Sequence, residues 1–352
     1  MKASKAETPA VLIELDIVER NLQRAQQMAD GISLSLRPHI KTHKLPRFAQ
    51  RQIELGARGI TCQKLGEAEV MADAGLDDIF VSYNILGASK LKRLKALHDR
   101  IQIAVAADNN TVIDGYSAAF TDSNHKLSVL VEIDTGGGRC GVQSAKKAVK
   151  LAKRIKASEG LSFGGIMTYP PRGEISDVNA SLSRAKAALL DAGLKVKCVS
   201  NGGTPDLRFA GDVTLATEHR CGTYIYNDRM QVSYGHCEIS DCALSVLATV
   251  ISCPAEGRAV IDAGTKALAA DFCDAPGYGH VLEYPDALVQ KLYEEHGVLD
   301  FSACESMPEV GDKIRIIPNH VCVVSNLFDS VHLVRNGLIE ETVAVAARGC
   351  LV

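Results

Sequence analysis

The sequence has no tryptophan, no block of basic residues and no CxxC pair among its eleven cysteines. With a net charge of −3 it lacks the electrostatic footprint that nucleic acid or an anionic membrane surface would require, so neither is expected as a partner. The first apolar run, PAVLIELD, is far too short for a signal peptide, and no later stretch reaches the roughly eighteen apolar residues of a membrane-spanning helix. An odd number of singly scattered cysteines reads as reduced thiols in a cytosol rather than as a disulfide framework. What is present is 352 residues, 46% of them hydrophobic, enough to bury one large core or a large and a small one. A cytoplasmic enzyme is the default class.

Between residues 33 and 226 short apolar runs alternate with longer amphipathic stretches. The strand-like runs are SLSLR (33–37), RGITC (58–62), DIFVSY (78–83), IQIAVAA (101–107), KLSVLVEI (126–133), LSFGGIMTY (161–169), KVKCVS (195–200) and DVTLATEH (212–219). Helical patterns separate them, among them Leu65–Ala74, Lys90–His98, Ala145–Ala157 and Asn179–Ala192. Eight such units in one block predict an α/β fold of the (β/α)8 TIM-barrel type over 18–235, with an open doubly wound sheet as the alternative. After about residue 235 the rhythm becomes β-rich, broken by turns such as PAEG, PEVGD and RNG, which predicts a separate antiparallel β domain. The early run PAVLIELD is assigned to it, so that 1–17 plus 236–352 form the second domain.

In a barrel the chemistry gathers where the strands end and the βα loops begin. The residues in those places are RPHIKTHK (37–44), Gln63, Asn84, Asp108, DTGGGRCG (134–141), Tyr169, SNGGTP (200–205) and Arg220-Cys-Gly-Thr-Tyr (220–224). Singly, Asn, Asp and Gly after strands are commonly turn residues. Their joint placement on one rim points to a site. Lys41 follows directly on an apolar strand, where burial and neighbouring cations favour a neutral, nucleophilic amine over a snorkelling surface lysine. SNGGTP and CGTYIY offer glycines for close backbone approach to an anion, with Thr204 and Thr223 as hydroxyl donors.

A third element lies in PNHVC. His320 and Cys322 are two residues apart, and on an extended segment both would point to one side. Imidazole and thiolate suit zinc or a similar divalent ion, and two ligands leave positions for water or substrate, which is a catalytic rather than a structural arrangement. A buried histidine beside a free cysteine is the plainer reading. Glu294-Glu295-His296-Gly297 and Asp262-Ala263-Gly264 are second-tier candidates, equally readable as turns.

TPAVLIELD, RPHIKTHK, GARGITCQK, EIDTGGGRCGV, GGTP, VIDAGTKA, EEHG, PNHVC and AARG together resemble the fold-type III pyridoxal phosphate (PLP) enzymes. These are alanine racemase-like barrels, and the resemblance is to the D-threonine aldolase and D-serine dehydratase branch. The resemblance implies that Lys41 carries the coenzyme and acts as base at Cα. It sets Tyr169 against the pyridine ring, Gly203, Thr204, Gly222 and Thr223 around the phosphate, and Arg220 at the ring nitrogen. Arg139 would approach the phenolic oxygen or the substrate carboxylate. Gln63, Asn201 and Tyr224 complete the expected cofactor contacts, and His296 joins the catalytic candidates. His320 and Cys322 would hold one divalent metal, zinc or manganese, with magnesium or cobalt as further options, beside the substrate's β-hydroxyl.

The implied function is a PLP- and metal-dependent lyase on D-3-hydroxy amino acids. Retro-aldol cleavage to glycine and an aldehyde is preferred over dehydration to a keto acid and ammonia. A metal-free racemase and a non-enzymatic PLP-binding protein are the rivals. The loop YPPRGEISD (169–177) lacks the histidine that the aldolases of the branch carry there, and the His–x–Cys pair is dehydratase-like, whereas the run 324–349 is aldolase-like. The resemblance also implies a homodimer.

Overall fold

The computed structural model describes residues 1–352. The chain opens with β1 (Ala10–Glu14) and α1 (Leu15–Gly31). Eight short strands follow: β2 (Ser35–Leu36), β3 (Ile60–Cys62), β4 (Asp78–Val81), β5 (Gln102–Ala107), β6 (Leu127–Glu132), β7 (Leu161–Met167), β8 (Cys198–Asn201) and β9 (Glu218–His219). Between them run α2 (Pro46–Glu54), α3 (Leu65–Asp73), α4 (Ala88–His98), α5 (Asn110–Phe120), α6 (Ala145–Ala157) and α7 (Ile175–Asp191). All pairings in this sheet are parallel, in the order β2-β9-β8-β7-β6-β5-β4-β3. The remaining edge closes through a parallel bridge between His39 and Thr61, with Thr61 N donating to Pro38 O at 2.7 Å and Arg58 N to Leu36 O at 2.9 Å. Closure decides for a barrel against the open sheet.

The helices follow from their periodicity. In α6 the buried residues Ala148, Leu151, Ala152 and Ile155 form one stripe, and the Ser144 side chain caps the start by accepting from Lys147 N. Inside the barrel, Phe80, Ala106, Leu130 and Met167 from four successive strands form a lumen cluster. The sequence-predicted helix at Asn179 begins four residues earlier, at Ile175, with Glu174 at its N-cap.

The rest of the chain is β-rich: α8 (Arg229–Ser233), β10 (Leu244–Ala255), β11 (Arg258–Ile261), α9 (Thr265–Leu268), β12 (Gly279–Val281), β13 (Leu288–Leu292), β14 (Gly297–Asp300), β15 (Lys313–Pro318), α10 (Val321–Leu327), β16 (Ser330–Arg335) and β17 (Leu338–Ala344). Strands β10, β11, β14, β13, β12 and β15 pair antiparallel in turn and close on β10 as a six-stranded barrel. β1 extends this sheet, antiparallel to β10 and parallel to β16, with Val11, Leu12 and Ile13 fully buried. The chain falls into two compact units, one of Met1–Arg24, Thr42–Lys44 and Thr223–Gly349, the other of Ala25–Lys41, Leu45–Gly222 and Cys350–Val352. The division thus passes through α1 and directly after Gly222, where the pattern of apolar runs placed it near residues 17 and 235. No helix is long and apolar enough to cross a membrane.

Candidate active site

In the parallel barrel, Lys41 sits half-buried in a single 3-10 turn (Ile40–Thr42) just past β2. Its backbone N–H donates to His39 Nδ1 at 3.3 Å. That leaves the His39 proton on Nε2, which lies 3.1 Å from Gln63 Oε1. Lys41 and Gln63 are therefore joined through His39, a residue the sequence reading did not single out.

Across the rim, Tyr169 follows β7 and is 44% exposed, presenting an aromatic ring at the surface. The Arg139 guanidinium stands 4.8 Å from the ring centroid, and a Cβ added to Gly203 would come within 3.3 Å of the ring edge. Gly202 has φ +141° and packs so tightly on the Arg220 backbone that no side chain fits there. Thr204 Oγ1 accepts from Gly222 N at 3.1 Å, which ties the loop after β8 to the loop after β9.

One buried group holds that loop, and a second stands beside it unpartnered. His219 donates from Nε2 to Gly203 O at 2.9 Å, and burial pushes its imidazole down to about 4, so it is a neutral donor. The Asn201 amide is buried with neither its oxygen nor its nitrogen partnered. An orphaned amide of this kind beside a side-chain-free loop and an exposed aromatic face fits a flat, phosphate-bearing cofactor. Arg220, also buried, donates to Ser200 Oγ at 2.6 Å and to Thr168 O at 2.7 Å. Burial pushes Arg220 down, opposed by Glu218 and Glu132, and it pushes the Glu132 carboxyl up against the pull of Arg139 and Arg220.

In the β unit, His320 is the N-cap of α10 and Cys322 lies in its first turn. The extended HxC segment expected from the sequence is corrected: only His320 keeps extended angles (φ −140°, ψ 114°), and the chain turns helical at Val321. The turn, not strand alternation, brings the two side chains together. Burial alone would lower the His320 imidazole, but the negative charges of the Cys322 thiolate and Asp228 outweigh it and push it up to about 11, so a metal at Nε2 would have to displace a proton there.

Asp228, fully buried and not anticipated from sequence, is the organising residue. Its Oδ2 accepts from His320 Nδ1 at 2.9 Å and from Val321 N at 3.2 Å, while Oδ1 caps α8 through Gln231 N at 2.9 Å. A carboxylate on Nδ1 fixes the tautomer that leaves Nε2 to a metal. Thr42 Oγ1 and Thr223 Oγ1 lie 3.2 and 3.7 Å from Cys322 Sγ. The donors therefore suit a divalent ion with open positions. Tyr224 is buried beside Thr223 in the following 3-10 turn.

The second-tier residues lie in the β unit. His296 is exposed in the β13–β14 hairpin, where its carbonyl accepts from Tyr293 N. Glu294 and Glu295 pair with Lys266. Asp262 accepts from Thr249 N and from the Thr8 hydroxyl, and a Cβ at Gly264 would strike the Tyr293 carbonyl. At the barrel rim Asp108, Glu132 and Cys140 bring their donor atoms within 4.8 Å of one another. The Asp108 oxygens there are already committed to Asn84, Asn109 and Gly141 N.

A closed parallel barrel with a lysine at the end of its first strand, glycine loops after its last two, and an attached antiparallel β barrel define an alanine racemase-like protein. Comparison with known proteins places the chain further: it belongs to the family described by the alanine racemase N-terminal domain, which matches residues 13–230. A putative serine dehydratase domain matches 243–334. The chain is 33% identical to a D-threonine aldolase of Arthrobacter sp over 98% of its own length and 94% of the relative's.

Among solved structures, a D-threonine aldolase from Filomicrobium marinum superposes with TM-score 0.92 at 34% identity, covering 99% and 98% of the two chains. D-threo-3-hydroxyaspartate dehydratase from Delftia sp. HT23 does so with TM-score 0.89 at 30% identity, covering 97% and 98%. A cysteine-to-alanine variant of a dehydratase of that name is described as a metal-free form. Relatives that match along nearly the whole chain are named as aldolases and dehydratases, both lyases.

Proposed function

We propose that this chain is a PLP- and divalent-metal-dependent lyase of D-3-hydroxy amino acids, cleaving them to glycine and an aldehyde. The observation that carries the reading is the His320–Cys322 pair with Asp228 behind it, on a chain whose barrel also presents Lys41, Tyr169 and the 202–204 loop. A racemase needs no such donors.

Lys41 would tether the coenzyme, Tyr169 would back its ring, and Gly203, Thr204, Gly222 and Thr223 would hold its phosphate. PLP, when bound, supplies an electron sink for negative charge at the substrate α-carbon. His320 and Cys322 would hold the metal, which supplies Lewis acidity. The thiolate favours zinc over manganese and magnesium, which prefer oxygen donors. The chain's own part is to orient and to move protons. Arg139, exposed at the rim, would take the substrate carboxylate, and Lys41 Nζ would hold or take a proton at Cα. Asp228 keeps the His320 tautomer fixed throughout.

Dehydration to a keto acid and ammonia is the second reading, favoured by the cysteine in the metal pair, since loss of a cysteine accompanies a metal-free form in a dehydratase relative. Incubation with PLP, metal and D-threonine, D-serine or 3-hydroxy-D-aspartate tests both. Glycine plus aldehyde marks the aldolase, and keto acid plus ammonia the dehydratase. Conversion of the substrate to its enantiomer, undiminished by chelation, would leave a racemase as the reading. We infer further that the protein is a homodimer working in a reducing cytosol, a setting that suits eleven cysteines all free. Sedimentation as a single 37.7 kDa chain at working concentration would refute the dimer.

A further inference from the structure

The parallel barrel holds buried charges that the proposed reaction does not use. Arg37, at the end of β2, donates from Nε to Glu218 Oε2 at 3.0 Å and from Nη1 to Asp78 Oδ1 at 2.7 Å. Glu218, at the start of β9, accepts at its other oxygen from Ser200 Oγ at 2.6 Å. Ser200, in β8, in turn accepts from Arg220 Nη1 at 2.6 Å. Arg37, Glu218, Ser200 and Arg220 are all at most 6% exposed, and only Asp78, with a side chain 30% exposed, reaches water. Room for the chain of contacts is kept by Gly59, where a Cβ would strike both Arg37 Nη1 and the Asp78 backbone.

Four buried polar side chains cost desolvation that a packed apolar lumen would avoid. Each link here is a charge-assisted bond, and the single hydroxyl proton of Ser200 is spent on Glu218, so its lone pair must receive Arg220. The connection is directional. It fixes the guanidinium rotamer, with Thr168 O taking a further N–H. Glu218 is held ionised: burial would raise it, and Arg37 and the Ser200 hydroxyl overcome that.

We propose that Glu218 is a positioning residue which, acting through the Ser200 hydroxyl and braced by Arg37, aims and fixes the Arg220 guanidinium for the coenzyme ring. The proposal rests on the coenzyme reading above only for what Arg220 faces. The placement of Arg220 belongs to the coenzyme-free protein as well.

The test compares wild type with Ser200→Ala, Ser200→Thr and Glu218→Gln as holoproteins. The readouts are the PLP dissociation constant, the pH midpoint of the visible coenzyme band, and the crystallographic position of Arg220 without coenzyme. Loss of a buried bond to a charged group predicts roughly tenfold weaker PLP binding and a displaced spectral midpoint in Ser200→Ala. Ser200→Thr, which keeps the hydroxyl, should restore both. Without coenzyme, the Arg220 guanidinium should leave Thr168 O in Ser200→Ala. Wild-type affinity and midpoint in both Ser200→Ala and Glu218→Gln, or an unmoved Arg220 in Ser200→Ala, overturns the proposal, and Ser200→Ala decides if Glu218→Gln does not fold. A wild type that takes up no coenzyme sinks the earlier reading instead, and the Arg220 position still decides this one.

Discussion

The buried Asp228 carboxylate lies 2.9 Å from His320 Nδ1, and the same oxygen receives the backbone N–H of Val321 at 3.2 Å. One carboxylate thus sets both the tautomer of the imidazole and the start of the helix that carries Cys322. Asp228→Asn should weaken metal binding about 10- to 100-fold, the range typical of an outer-shell partner. Metal titration of the purified variant checks this, and a wild-type metal affinity would remove Asp228 from the account.

His219 links stability to pH. Its ordinary value of 6.5 in the unfolded chain falls to about 4 in the fold, because burial disfavours the charged ring. The unfolded state therefore binds the extra proton between those values, so the contribution is complete above pH 6.5 and lost as pH falls towards 4. That window is worth about 3 kcal/mol. Urea unfolding at a series of pH values should show the loss in wild type and a flatter dependence in His219→Gln. Parallel curves would show that His219 does not carry it.

Gly202 should tolerate no side chain. With φ at +141° and the Arg220 backbone against it, Gly202→Ala must displace the loop that leads to Gly203 and Thr204. Strain of about 1–3 kcal/mol concentrated there predicts coenzyme affinity down roughly tenfold or more, with a smaller effect on melting temperature. Unchanged PLP binding in Gly202→Ala would mean that the phosphate is held elsewhere.

Much of this architecture was legible before any coordinates. Seven of the eight barrel strands fall inside the apolar runs and β8 overruns its run only by Asn201, because strands buried on both faces are largely apolar, and the rim residues follow because βα loops begin where those runs stop. The candidate metal pair was legible by residue type but not by geometry, since a helix that begins one residue after a histidine leaves no periodic trace in five residues.

Asp228 escaped notice because an Asp before a short helix reads as an ordinary N-cap, which it also is. Its second role depends on a segment some ninety residues away. Arg37, Glu218 and Ser200 carried a signal that could have been used: charged or hydroxyl residues within otherwise apolar barrel strands must face something polar in the lumen. Their partners, from strands far apart in sequence, could not be assigned without the barrel's closure and register.

The central claim is that Lys41 bears the coenzyme. Reducing the PLP-loaded protein with borohydride, digesting it and mapping the pyridoxyl-labelled peptide by mass spectrometry tests this most directly. The label should fall on Lys41 alone, and Lys41→Ala should show no visible band for borohydride to bleach. A label on another lysine, or a bleachable band that persists in Lys41→Ala, would contradict it.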